Sequence, residues 1–154
     1  MKFSSQEEYG LRCLLQLART GGMQANRTIT EISREEGLSV AYVGKLMRIL
    51  RIGGFVDSVR GQEGGYSLSR PADTILVSDV LASLGGKFYE KDFCSNFSGN
   101  EDECTHSFSC SIRPLWNRVQ TAIDGALRDF TVADLMPKNE LVQIEMGETL
   151  NVER

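Results

Sequence analysis

The fold of this chain can be predicted from residues 37–68, GLSVAYVGKLMRILRIGGFVDSVRGQEGGYSL. A glycine that can end one helix is followed by Ser39, whose hydroxyl is suited to cap a second helix running to about Ile52. Two glycines then introduce strand-forming residues, a glycine-rich tip and a return strand, which together predict a β-hairpin. A hairpin that directly follows such a helix is typical of the wing in a winged helix-turn-helix.

Upstream of this stretch the sequence predicts two further helices. An amphipathic helix is expected from about Ser5 to Arg19, because its apolar residues recur at the spacing of one helix face. A shorter helix is expected from Glu31 to Glu36, with Thr30 placed to cap it. The order of helix, tight glycine turn and helix at this spacing predicts a helix-turn-helix.

The second helix of this pair is expected to be the recognition helix. One of its faces is apolar and should pack in the core, while the other is small, polar or basic and should face a DNA groove. The alternative left open is an ordinary surface helix with a solvated basic face, followed by a plain surface hairpin. The residues predicted to contact DNA are Ser39, Ala41, Tyr42, Lys45 and Arg48 on the helix, and Arg60, Gly61 and Gln62 at the tip of the hairpin.

The charge of the chain is unevenly distributed. The formal net charge is −4, which taken alone argues against binding to nucleic acid. Residues 1–70, however, carry 10 Lys and Arg against 7 Asp and Glu, a balance of +3. Residues 71–154 carry 7 against 14, a balance of −7, so the N-terminal half is the one expected to approach phosphate.

Three cysteines lie in one polar segment that has no periodic apolar residues. Nine residues separate Cys94 from Cys104, and five separate Cys104 from Cys110. Thiolates are soft ligands that suit zinc, copper(I) or iron–sulfur clusters, although this spacing is not the paired Cys-x-x-Cys of a zinc ribbon. A redox disulfide needs only two of the three cysteines and stays open. His106 is an alternative metal ligand, whereas Cys13, inside the first helix, is expected to be a buried apolar residue.

A long helix is predicted to follow the cysteines, from about Ser111 to Thr131. It carries an apolar stripe close to a heptad seam, which is expected to pair with its copy in a two-fold dimer, with packing inside one chain as the alternative. The stripe consists of Trp116, Val119, Ile123, Leu127 and Phe130. The predicted fold class is therefore mainly α with a small β-hairpin wing: a winged helix-turn-helix plus a long dimerisation helix.

Four regions are expected along the chain. Residues 1–75 form the winged helix-turn-helix DNA-binding domain, and residues 76–112 form a linking helix and the cysteine loop. Residues 113–135 form the dimerisation helix, and residues 136–154 form an acidic tail that is expected to be mobile.

Several functional classes are disfavoured by what the sequence lacks. It has no apolar signal core and no run of about 18 apolar residues, so a cytoplasmic protein without a membrane partner is expected. In that reducing compartment clustered cysteines more often bind metal or act in redox chemistry than form structural disulfides. No nucleophile–base motif, phosphate-binding loop or HExxH zinc motif is present, so no enzyme is expected, and a redox enzyme is the least favoured alternative.

Taken together, these motifs resemble those of the Rrf-type regulators, the IscR-, NsrR- and RirA-like proteins. The run from Val59 to Leu68 looks like their wing, and residues 37–50 look like their recognition helix. The opening residues 1–12 resemble their first helix, and the cysteine loop occupies the place of their cluster loop. The resemblance covers about residues 1–135 and implies a homodimeric transcription factor that reads a pseudo-palindromic operator in double-stranded DNA. It further implies control by an iron–sulfur cluster that senses iron, nitric oxide or redox stress.

The same resemblance implies a set of cluster ligands. Cys94, Cys104 and Cys110 take the places of the ligating cysteines, but nine residues rather than five separate the first two. Arg113 stands where IscR-like proteins have a histidine, and a guanidinium cannot serve as a ligand. NsrR-like proteins instead use an acidic residue from the first helix of the partner subunit, and the matching residue here is Glu8. The implied site holds [4Fe–4S] in preference to [2Fe–2S], with a cluster-free thiol-redox or zinc-dependent regulator as the alternative.

Overall fold

The computed structural model describes residues 3–62, 64–90 and 93–137. Within these ranges the helices and strands follow the predicted order, and the fold class, mainly α with a hairpin wing, is confirmed. The helices are α1 (Ser5–Arg19), α2 (Ile29–Glu36), α3 (Val40–Ile52), α4 (Val77–Gly85) and α5 (Arg113–Leu127), and the strands are β1 (Val56–Val59) and β2 (Gly65–Leu68). None of the helices in the described ranges has the length and apolar character needed to cross a membrane. The predicted acidic tail lies outside the described residues from residue 138 onward.

The starts of α1 and α2 are set by the same local device, a capping box. At α1 the Glu7 amide donates to Ser4 Oγ at 3.2 Å, and the Ser4 amide donates to Glu7 Oε2 at 2.7 Å. Thr28 and Glu31 form the same reciprocal pair at α2. The prediction that Thr30 caps a helix starting at Glu31 is therefore wrong. The helix begins two residues earlier, because the glutamate three positions after Thr28 completes its box.

Helix α3 runs through the centre of the hydrophobic core. Ser39 caps it as predicted, accepting a hydrogen bond from the Tyr42 amide at 3.2 Å. The apolar face of α3 packs against α1 and α2, and the side chains at this junction are completely buried. They are Leu14, Leu17, Ile32, Val43, Leu46, Met47 and Leu50. Because this face points inward, the opposite face of α3 is left at the surface.

The wing is tied to α2 by Arg27. The backbone amide and carbonyl of Arg27 both pair with Tyr66 at 2.8 Å, which adds a one-residue bridge to the antiparallel hairpin of β1 and β2. The Arg27 guanidinium forms ion pairs with Glu31 and Glu35 of α2. Because this residue contacts both elements, the wing and the helix-turn-helix are held as one unit.

Gly65 lies at the start of β2, next to Arg27, with a φ of +146°. A Cβ at this position would lie 2.6 Å from the Arg27 carbonyl oxygen, too close for a non-bonded contact. We expect Gly65→Ala to lower the free energy of unfolding by about 2 kcal/mol or more, through backbone strain plus this clash. Gly61→Ala is the matched control, since Gly61 also has a positive φ (+111°) but no described atom within 4 Å of the added Cβ. Urea unfolding compares the two variants, and equal losses would contradict a specific role for the approach to Arg27.

The residues that follow the C-terminal end of helix α5 are hydrogen-bonded to the winged domain. It ends at Leu127 rather than at the predicted Thr131, because the backbone there pairs with another segment. The Val132 amide donates to the Ile75 carbonyl at 2.9 Å, and the Val132 side chain is completely buried in the core. We call this pairing the return anchor. It links the end of α5 to the chain between the wing and α4.

Candidate DNA-binding face and cysteine segment

The outward face of α3 carries three of the predicted DNA contacts. Ala41, Lys45 and Arg48 are exposed and are spaced by four and three residues, so they lie in one row along the helix. We call these three side chains the recognition row. Neither Lys45 nor Arg48 forms an ion pair with another described residue, so both cations are available to an anionic partner.

The N-terminal end of α3 differs in charge from those of α1 and α2. The first turns of α1 and α2 each contain a glutamate that accepts a cap hydrogen bond, whereas the first turn of α3 has no acidic residue. A helix N-terminus carries a partial positive charge, which a carboxylate at the cap would offset. Val40 and Ala41 in this turn are both exposed. The start of α3 therefore presents unopposed positive potential and two small apolar side chains at the surface.

Two of the predicted DNA contacts have structural roles within the chain. Ser39 is exposed and caps α3. The Tyr42 ring is half-buried and packs edge-on against Tyr9 of α1, with 6.2 Å between ring centroids. Their contacts to DNA stay predictions.

The wing tip is open to solvent. Arg60, Gly61 and Gln62 are all exposed, and the Gly64 amide closes the turn by donating to the Gly61 carbonyl at 3.0 Å. The φ of Gly61 is one that side chains rarely adopt, which explains a glycine here. Arg60 forms no ion pair with any residue the structure describes. An unpaired arginine on a narrow hairpin is suited to contact phosphate or enter a minor groove.

An aromatic cluster places the start of the cysteine segment (residues 93–112) against α5. The Trp116 indole lies edge-on to Phe88, with 5.9 Å between ring centroids, and 6.3 Å from Phe93. Cys94 directly follows Phe93 and so lies beside this cluster. Trp116, predicted as a dimerisation residue, therefore also has partners in its own chain. The sequence signal for the cluster is four aromatic residues between positions 88 and 97, which helical periodicity does not reveal.

A hydrogen bond from Arg113 connects the later part of the cysteine segment to the first turn of α5. Its Nη2 donates to the Ser107 carbonyl at 2.7 Å, between Cys104 and Cys110 in the sequence. The Arg113 side chain is therefore hydrogen-bonded to the backbone of its own chain. Both ends of the segment are consequently attached to the N-terminal half of α5.

The cysteines of the chain fall into two environments. Cys94, Cys104 and Cys110 are half-buried free thiols, accessible to a metal or an oxidant. Cys13 is completely buried in the core, and burial, assisted by the charge of Glu36, raises the pKa of its thiol to about 12. Cys13 is therefore a protonated apolar side chain at neutral pH, which confirms the prediction for it.

The single chain does not gather the predicted ligands into one site. In the described part of the chain, no group of three or more His, Cys, Asp or Glu side chains is placed to hold a metal ion. His106, the alternative ligand, is exposed. The donor chemistry nevertheless fits an iron–sulfur cluster, because one short segment supplies three accessible thiols. Beyond these thiols the segment offers His106 as a further donor, and Glu8 lies outside the segment on α1.

Glu8 lies on an exposed edge of α1. Its Oε1 pairs with Arg12 Nη2 at 2.7 Å, and both side chains are about half exposed, at 54% and 51%. Exposed pairs of this kind are weak, so the carboxylate can exchange its partner. Glu8 also borders a shallow groove of about 210 Å³ between α1 and α4. The other residues lining this groove are Phe3, Glu7, Leu11 and Leu81.

Along most of its length helix α5 has no packing partner among the residues that the structure describes. None of its 15 residues is buried. The predicted stripe residues Trp116, Val119, Ile123 and Leu127 are only half-buried, and Phe130, just beyond the helix, is 40% exposed. An apolar helix face left open in this way is typical of a protein–protein interaction surface.

The chain is similar to known transcriptional regulators over most of its length. A family model described as Rrf2, iron-dependent transcriptional regulator, matches residues 3–138. Protein rrf2 of Nitratidesulfovibrio vulgaris is 34% identical over 145 residues, covering 90% of this chain and 93% of that protein. The structure of T. potens IscR matches with a TM-score of 0.66 and 26% identity, covering 100% of this chain and 93% of that one. The oxidized form of Staphylococcus aureus CymR matches with a TM-score of 0.67 and 28% identity, covering 91% and 99%.

Proposed function

This chain belongs to the Rrf2 family of transcriptional regulators and is not an enzyme, and from that premise we propose that it acts as a homodimer whose operator binding is controlled by an iron–sulfur cluster. One observation carries the proposal. Three accessible thiols lie in the segment before α5, an amphipathic helix with an apolar stripe and no buried residue, in a chain whose recognition row faces solvent. A DNA-reading face, a set of soft ligands and an open dimerisation surface are the three parts that such a sensor needs.

The proposed ligands are Cys94, Cys104 and Cys110 of one chain and Glu8 of the partner subunit. A bound cluster supplies a centre whose oxidation state and integrity respond to the cell. The chain supplies three thiolates on a segment attached to α5 and one carboxylate on the edge of α1. An oxygen ligand is weaker and more exchangeable than a thiolate, which suits a site that must respond to a signal. We propose [4Fe–4S] in preference to [2Fe–2S].

The proposed dimer interface is the apolar stripe of α5. Its half-exposed side chains would become buried against a second copy related by a two-fold axis. The apolar groove beside Glu8 offers a further surface for the partner's helix. Because the cysteine segment directly precedes α5, a partner helix in this groove would bring its cysteines towards Glu8. One arrangement then accounts for the open helix face, the groove and the missing fourth ligand.

In the proposed complex the dimer reads a pseudo-palindromic operator in double-stranded DNA. Each α3 enters a major groove, and each wing lies along the adjacent minor groove, where Arg60 makes its contacts. Lys45 and Arg48 point away from the core and are free of ion pairs with described residues, which supports this orientation. Ser39, Ala41, Tyr42, Gly61 and Gln62 complete the proposed contact set.

The return anchor offers a route from the cysteine segment to the DNA-binding face. The segment is attached to the start of α5, and the end of α5 is hydrogen-bonded beside the wing through Val132 and Ile75. A change at the cysteines that shifts α5 in the dimer would therefore change the separation of the two recognition helices. The spacing of operator half-sites is set by the DNA helix repeat, so a small shift changes affinity.

A cluster-free thiol switch is the second candidate, and one comparison favours it. The chain matches the oxidized form of S. aureus CymR as well as it matches T. potens IscR. In this version two of the three cysteines join in a disulfide, passing two electrons and two protons to an external oxidant. The dimer and its mode of DNA binding would be the same. Iron and sulfide analysis of the purified protein distinguishes the two candidates.

The proposed fourth ligand is tested by a matched pair of variants. Glu8→Ala and Arg12→Ala both remove the ion pair between these residues, but only Glu8→Ala removes the carboxylate. We expect Glu8→Ala to lose iron to a chelator about ten-fold faster or more, since removing even supporting groups of metal sites has effects of this size. Arg12→Ala should keep its iron. An unchanged rate of iron loss and unchanged DNA affinity in Glu8→Ala would contradict the proposed ligand and the route through it.

A further inference from the structure

The polar groups of α3 are all hydrogen-bond donors or hydroxyls. From Val40 to Ile52 the helix contains no Asp, Glu, Asn or Gln, and its charged residues are Lys45, Arg48 and Arg51. Its first turn adds two exposed apolar side chains, Val40 and Ala41. A helix with this composition can donate hydrogen bonds and make methyl contacts. It has no carboxylate or carboxamide with which to accept a hydrogen bond from a base.

The major groove distinguishes bases by the groups they present there. Guanine presents two acceptors, N7 and O6, and thymine presents the O4 acceptor and a methyl group. Cytosine presents a donor, which a carboxylate would read. Adenine presents a donor beside an acceptor, which a carboxamide reads best. A lysine or arginine reads guanine, and an alanine side chain packs on the thymine methyl group.

We infer that the recognition row of this chain selects guanine and thymine edges in each operator half-site, with Lys45 and Arg48 on guanine and Ala41 on a thymine methyl group. The inference rests on the proposed function, since it assumes that α3 enters the major groove. The exposure of all three side chains in one row supports it, as does the lack of an ion pair between either cation and another described residue. The unneutralised N-terminus of α3 adds to the preference for acceptor-rich edges.

The test is selection of bound sequences from a random duplex DNA library by the full chain, purified anaerobically. The same selection is made with Lys45→Gln and Arg48→Gln, because a glutamine side chain prefers adenine where lysine or arginine prefers guanine. Arg34→Gln is the control, being the same change at an exposed arginine on α2. We expect wild-type half-sites with guanine at the contacted positions. Each glutamine variant on α3 should change one guanine to adenine, with about ten-fold discrimination or more, and the control should leave the selected sequence unchanged.

The possible outcomes distinguish a failure of this inference from a failure of the proposed DNA-binding function. Recovery of one enriched sequence whose base preferences do not change in Lys45→Gln or Arg48→Gln would overturn the inference and leave the regulator proposal standing. Replacing the selected thymines by uracil removes only their methyl groups. If this substitution leaves wild-type affinity unchanged, it overturns the role given to Ala41. Failure of the wild-type chain to enrich any sequence would contradict the proposed DNA-binding function itself.

Discussion

Cys104→Ala is expected to abolish iron binding while leaving the fold of the apo-protein unchanged. Cys104 is half-buried and lies outside the hydrophobic core, so its loss removes a proposed ligand without leaving a cavity. A cluster held by two remaining thiolates and one carboxylate lacks the ligand number that such sites require. The measurement is iron and acid-labile sulfide per chain after anaerobic reconstitution, together with urea unfolding of the apo-protein.

Cys13→Ala is the matched control and should show the opposite result. Cys13 is completely buried in the core, where a metal cannot reach it, and this burial also raises the pKa of its thiol. Its truncation should therefore leave iron binding intact and lower the free energy of unfolding by about 1 kcal/mol. Stoichiometric iron in Cys104→Ala, or loss of iron in Cys13→Ala at temperatures where the variant is folded, would contradict the ligand assignment.

Ile123→Glu in the α5 stripe is expected to convert the dimer to a monomer and to remove specific operator binding. In the proposed two-fold interface each introduced carboxylate would be taken from water into an apolar seam, without a cationic partner. We expect the dimer dissociation constant to rise about 100-fold or more, which corresponds to about 3 kcal/mol. A monomer contacts a single half-site, so its affinity for the full operator should fall to its affinity for an isolated half-site. Sedimentation velocity and operator titration measure the two effects.

The control for this prediction lies on the other side of the same helix. Thr121 is exposed and lies away from the stripe, so Thr121→Glu adds the same charge to α5 without entering the proposed seam. This variant should remain a dimer with wild-type affinity for the operator. A dimeric Ile123→Glu, or an equal effect of both substitutions, would show that the stripe is not the interface.

The parts of the fold that were predicted correctly depend on patterns spanning a few residues. The predicted bounds of α1, Ser5 and Arg19, are those observed, because an amphipathic run is closed by glycines at one end and a capping box at the other. Ser39 caps α3 for the same local reason. The error at Thr30 was avoidable, since Thr28 has a glutamate three residues later and so carries the capping-box signature.

The parts that were missed depend on contacts between distant segments. No local pattern marks Arg27 as the residue whose backbone pairs with Tyr66 of β2. Val132 was expected in a dimerisation helix, but it is a core residue, because its backbone pairs with Ile75. These pairings override the helical propensity at the end of α5, which explains why the helix is shorter than its apolar periodicity suggests.

The candidate cluster site was predictable from the sequence only in part. The sequence predicts the ligand chemistry of three clustered cysteines. The structure shows that they are accessible and that their segment is attached to α5. In the proposed site the ligands are brought together by a second chain and by the group they bind, and neither is encoded in the local pattern. The fourth ligand, Glu8, therefore stays a prediction that rests on family resemblance and on its place beside the apolar groove.

Control by an iron–sulfur cluster is tested by native mass spectrometry of the full chain, purified anaerobically from iron-replete cells. A single spectrum reports both the oligomeric state and the mass of whatever the cysteines hold. We expect a dimer that carries one iron–sulfur cluster per chain, and the added mass will identify the cluster as [4Fe–4S] or [2Fe–2S]. A dimer that carries zinc, or bare thiols even after reconstitution with iron and sulfide, would contradict control by a cluster.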